Sequence, residues 1–161
     1  MTTKANFNRQ LKIHAKAYHN KLKNEIIKEW GKKALDDQQV SEIGKNLLGS
    51  KYKGTFPIDK VPFTNTSKYF IINVDKSGMP GSHWVAIYQD TKRTFYIYDS
   101  FARTSKKLLK YLYDKAKLKG FKIIDTNKKA DQFGKSQICG PISVAWLSTV
   151  EKYGIKTARH I

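Results

Sequence analysis

The single cysteine of this chain, Cys139, stands where a polar loop gives way to an apolar run, in DQFGKSQICG followed by PISVAWL. The stretch Gly140–Tyr153 reads as a helix, and Pro141 suits its first turn, where a missing N–H costs nothing. A thiol at a helix N-terminus feels the positive end of the macrodipole and the unpaired backbone N–H groups there. Both favour the thiolate and lower a pKa that is about 8.5 in model peptides. The same N–H groups suit an oxyanion. The position fits a nucleophile; it also fits a small buried hydrophobe, which cysteine often is.

A nucleophile needs a base, and the chain has four histidines. His14 and His19 lie on a lysine-rich N-terminal stretch and His160 is penultimate, so all three read as solvated. His83 differs: it opens an apolar strand straight after the turn residues KSGMPG, which sets it at the rim of a sheet. A hydrogen-bonded strand histidine is the alternative. Asp99 closes the next strand, in YIYDSF, and in an antiparallel hairpin the start of one strand meets the end of its neighbour. Asp99 is therefore positioned to orient His83 and support its imidazolium, or else simply to cap a turn. All three residues fall at the end of a regular element, a coincidence that favours a nucleophile, a base and an orienting acid.

The elements that must hold them follow from periodicity. Apolar residues at steps of three or four from Phe7 through Leu11, Ala15, Tyr18 and Leu22 to Ile26 predict an amphipathic helix over 6–33 with a lysine-rich polar face. That helix can dock on the core, lie on an anionic surface or contact nucleic acid; docking is the default. A second helix is expected over 36–48 and a loop with glycines and prolines over 49–62. Strands are expected at 69–74, 83–88, 95–99 and 121–125, and a helix over 105–119 with Leu108, Leu109, Leu112 and Ala116 inward. The fold class is α+β: a mostly antiparallel central sheet with flanking helices, the cysteine opening a buried helix.

Composition bounds the rest. A length of 161 residues, 40% of them hydrophobic, suits one domain with a proper core. No apolar run is long enough to span a membrane, and the N-terminus has no signal-peptide core. One cysteine excludes an internal disulfide, and the scattered histidines have no metal-ligand spacing, so no metal is expected. The net charge of +18 favours polyanionic partners. Residues 1–35 carry nine basic and two acidic side chains, and residues 103–129 carry ten and two. Both segments are expected to make non-specific phosphate contacts with DNA.

The order His-Trp, Asp-Ser, Gln, Cys-Gly resembles the adenain-like branch of the Ulp-type cysteine protease superfamily, proteases of adenoviruses, large DNA viruses and virophages. LLGSKYKGTFPIDKVP resembles that family's Phe-Leu-Gly-Thr segment, and YFIINVDKSGMPGSHWVAIY its strand, Gly-rich turn and Gly-x-His-Trp motif. FYIYDSFA resembles the strand that ends in the triad acid, and DQFGKSQICGPISVAW the Gln-x6-Cys-Gly block. Singly these motifs are weak; in this order and spacing they are specific. The resemblance covers residues 36–150. It divides the chain into a basic helical extension, 1–35, with no counterpart in the family, and a protease domain, 36–161, of papain-like fold.

The resemblance implies that Cys139 is the nucleophile, His83 the general base and acid, and Asp99 the orienter. It implies Gln132, seven residues before the cysteine, as the oxyanion donor, with Gln137 the local competitor. Trp84 would line the substrate channel, and Gly81 would leave room for a substrate main chain. The implied activity is cysteine endopeptidase cleavage of viral capsid or core precursors after small residues such as glycine, in the virion and the infected cell rather than in a secreted setting. No cofactor is required, but DNA or a non-covalently bound peptide is a possible activator; with one cysteine, a disulfide-tethered peptide is excluded. The triad acid is Asp, as in the Ulp-type deconjugating isopeptidases, rather than the Glu of the adenovirus enzyme, so cleavage of a ubiquitin-like modifier is the alternative.

Overall fold

The computed structural model describes residues 3–66, 68–74, 83–101, 109–126 and 137–161. The chain enters through helix α1 (Lys4–Trp30), which Thr3 caps by accepting from the Asn6 N–H, and leaves it at Gly31, where φ of 87° suits glycine. Helix α2 (Asp37–Leu48) opens on a capping box in which Asp36 and Gln39 satisfy each other's backbone N–H groups. Strands β1 (Tyr52–Pro57), β2 (Lys68–Asn73), β3 (Trp84–Gln89), β4 (Thr94–Tyr98) and β5 (Lys122–Asp125) form one sheet in sequence order. Helix α3 (Lys110–Lys119) precedes β5, and α4 (Cys139–Tyr153) is followed by a single turn, α5 (Ile155–Ala158).

The class is α+β as expected, with helices flanking the sheet, but the sheet is mixed rather than mostly antiparallel. The central pairs β2–β3 and β3–β4 are antiparallel; the outer pairs β1–β2 and β4–β5 are parallel. One parallel pair comes from β5, which follows α3 and runs alongside β4, and the other from β1, a segment that reads as a loop. Its Gly54, at φ of 135°, sits at a register shift between Tyr52 and Gly54, and its Pro57 ends the strand. Glycine at a bulge and proline on an edge are compatible with a ladder that has a neighbour on one side only.

Both faces of the sheet are covered, which is why its three central strands are mostly apolar runs rather than alternating ones. One face, with Tyr69, Ile71, Trp84, Ala86 and Tyr98, packs on α1, α2 and α4. The other, with Phe70, Ile72, Val85, Ile87, Phe95 and Ile97, packs on Leu109, Leu112 and Ala116 of the α3 region and on Phe121. Those three residues point inward as expected; Leu108 lies outside the described residues. Helix α4 is buried from Cys139 through Val150, so its apolar character all round is that of a central helix.

Helix α1 docks along α4, yet only in part. Its buried residues are Ala15, His19, Leu22 and Ile26, while Phe7, placed on the apolar face by periodicity, is 55% exposed. His19 corrects the expectation of a solvated side chain: it is wholly buried, edge-on to Tyr98 at 5.9 Å, and Tyr98 in turn stacks on Trp146 at 5.1 Å. The helical face turns toward the protein where apolar residues of α4 meet it, which one element's periodicity does not reveal.

Candidate active site

Cys139 is the first residue of α4, and Pro141 lies in that first turn. His83 immediately precedes β3, where its carbonyl accepts from the Val74 N–H at 3.1 Å, and Asp99 immediately follows β4. Continued one step outward, the Ala86–Tyr98 pairing sets Val85 opposite Asp99, so His83 meets Asp99 on the diagonal. The hairpin therefore does bring the two to one rim: His83 Nε2 and Asp99 Oδ1 are 2.7 Å apart, with His83 4% and Asp99 1% exposed.

Asp99 is itself held, because Oδ1 also accepts the Phe101 N–H at 2.9 Å. The Phe101 ring lies against the imidazole with centroids 5.1 Å apart. Asp99 occupies Nε2, so Nδ1 is the nitrogen left to exchange a proton with Cys139. Burial opposes charge on both groups, but their partners outweigh it. For the thiol, burial pushes the pKa up, yet the hydrogen bond and charge of His83, with the backbone N–H groups of Trp84 and Gly140, bring it below the ordinary thiol value. For the imidazole, burial pushes down, yet the hydrogen bonds to Asp99 and Cys139 raise the pKa above its ordinary value. Both shifts act in the direction of a thiolate–imidazolium pair.

Trp84 lies beside this pair. Its indole Nε1 donates to the Leu35 carbonyl at 3.0 Å, and Ser143 Oγ donates to its backbone carbonyl at 3.3 Å. A Cβ on Gly140 would stand 3.3 Å from Val40, 3.4 Å from Leu35 and 3.5 Å from Trp84. Glycine thus lets the start of α2 close over the start of α4. Leu35, Val40, Phe101 and Ser143 were not singled out by sequence; only Phe101, adjoining Asp-Ser, had any local signal. Gln137 is exposed two residues ahead of Cys139, whereas Gln132 and Gly81 lie outside the described residues. Among the described residues, no group of three or more His, Cys, Asp or Glu side chains is placed to hold a metal ion, and no helix is long and apolar enough to cross a membrane.

No protein-family model matches the chain, and no curated protein matches it.

Proposed function

We propose that the protein is a cysteine hydrolase, with Cys139 as nucleophile, His83 as acid and base, and Asp99 as the residue that orients His83. The observation that carries this reading is the buried His83–Asp99 pair, joined at 2.7 Å, with a thiol at the start of a helix whose pKa the imidazole lowers. The thiolate attacks an acyl carbonyl carbon, and the carbonyl π electrons move onto oxygen. Backbone N–H groups at the start of α4 supply oxyanion stabilisation, joined, on the motif resemblance, by Gln132. As the tetrahedral species collapses to a thioester, the leaving amine takes the Nδ1 proton of His83. His83 then removes a proton from water, which attacks the thioester, and returns that proton to sulfur as the thiol is released.

The motif order favours an endopeptidase of the viral maturation type, acting on capsid or core precursors and cutting after small residues. The test is to co-express a capsid precursor with the wild-type protein or with Cys139→Ala and to read the products by mass spectrometry. Cleavage by the wild type alone supports the proposal, and equal cleavage by both sinks it. Ubiquitin-like probes carrying a C-terminal electrophile form a second arm: rapid labelling of Cys139 by one of them, without precursor cleavage, replaces the endopeptidase with a deconjugating enzyme.

A further inference from the structure

At the end of α4 remote from Cys139, the N-terminal half of α1 runs beside α5 and the C-terminal residues. Between them lies a cleft of about 750 Å³. One wall carries Lys4, Arg9 and Lys12; the other carries Lys156 and Arg159. No acidic side chain is among the described lining residues. The only acids of α1, Glu25 and Glu29, lie near its other end.

From this cleft we infer a binding groove for the phosphate backbone of a nucleic acid. The inference is independent of the hydrolase reading. Lys4, Asn8 and Lys12 recur at steps of four and extend, toward the N-terminus, the helical face that Ala15, His19, Leu22 and Ile26 bury further along. The face that meets the core with apolar residues thus becomes basic where it meets the cleft. Facing cations repel one another, and a polyanion laid between them relieves that repulsion.

Arg159 is restrained for this role, because its guanidinium rests 5.5 Å from the Tyr96 ring centroid. The cations extend along about 12 Å of helix, at 1.5 Å per residue, rather than converging on one point. A row of phosphates suits that spread better than a single anion. A membrane surface suits it less, since the cations line the two walls of a cleft rather than one flat face.

The test measures binding of the full chain to fluorescein-labelled single- and double-stranded oligonucleotides of mixed sequence, by anisotropy, across a potassium chloride series. The triple variant Lys4→Gln/Arg9→Gln/Lys12→Gln alters exposed positions and keeps the helix. Its charge-matched control, at exposed positions outside both basic segments, is Lys45→Gln/Lys60→Gln/Lys92→Gln. The groove variant is expected to lose about tenfold or more in affinity and about three units of salt slope, with a much smaller loss in the control. Lys156→Gln, on the opposite wall, is expected to lower the slope by about one unit.

Equal losses in the two triple variants would reduce the effect to net charge and overturn the groove. So would a Lys156→Gln slope identical to wild type, or no binding by the wild type. Competition by inorganic phosphate as effective as by oligonucleotide would point to a small-anion site instead. Groove-dependent binding to phosphatidylserine vesicles without oligonucleotide binding would replace the nucleic acid with a membrane.

Discussion

The two ends of helix α4 handle charge in opposite ways. At its start, burial opposes ionisation of one thiol, and a single imidazole, two backbone N–H groups and the positive end of the helix favour it. Beyond its other end, five formal cations line an open cleft in contact with water. The first arrangement concentrates electrostatics on one atom, where low dielectric makes each contact strong and geometry decisive. The second spreads it over many solvated groups, each contributing little and each screened by salt. A reacting atom needs the first kind of environment, and a flexible polyanion the second.

That contrast breaks first if Cys139 is not the reacting atom. Cys139→Ala should lower hydrolysis by ~10⁴-fold or more while the protein still melts cooperatively; activity near wild type would remove the nucleophile from the site. Asp99→Asn should cost about 10²–10⁴ in kcat/KM, because the amide cannot hold His83 in the same protonation state. The pH profile gives the sign. His83 titrates above its ordinary value, so its imidazolium persists below that raised pKa and is lost as pH climbs through it. Cys139 titrates below its ordinary value, so its thiolate persists above that lowered pKa and is lost as pH falls through it. Activity should form a bell between the two limbs, which belong to the coupled pair. Asp99→Asn should draw the alkaline limb to lower pH, and an unmoved limb would break the assigned role.

A smaller effect belongs to the latch beside the site. Trp84→Phe deletes the bond to the Leu35 carbonyl and should cost about 1 kcal/mol of stability, read from denaturant midpoints at unchanged slope. The smallest expected effects sharpen the comparison itself. Iodoacetamide labelling of Cys139 should scarcely change with salt, whereas oligonucleotide binding should fall steeply over the same series. The groove triple variant should label at the wild-type rate; a slowed rate would mean that the two ends of α4 are coupled.

Much of the architecture was legible because periodicity and punctuation agreed. Helix α2 has its capping residues in sequence, α4 is apolar all round, and β2, β3 and β4 are separated by turn residues and each long enough to be unmistakable. The pairing of His83 with Asp99 followed from hairpin geometry. Strand β1 was illegible because its glycine and proline are punctuation marks in a loop and permitted irregularities on an edge. The burial of His19 was illegible because a polar residue on an amphipathic face has no mark that says which way the face turns.

Residue types and their order determined on their own that one thiol, one rim histidine and one strand-end aspartate were available, and that cations far outnumber acids. Covalent chemistry and charge are properties of side chains, so they survive without coordinates. Only the tertiary structure decided that Nε2 of His83 serves Asp99 at 2.7 Å. It likewise decided that Leu35 and Val40 close over Gly140, and that cations from the two ends of the chain face each other across one cleft. Each of these depends on distances between residues far apart in sequence, which packing sets and local pattern does not.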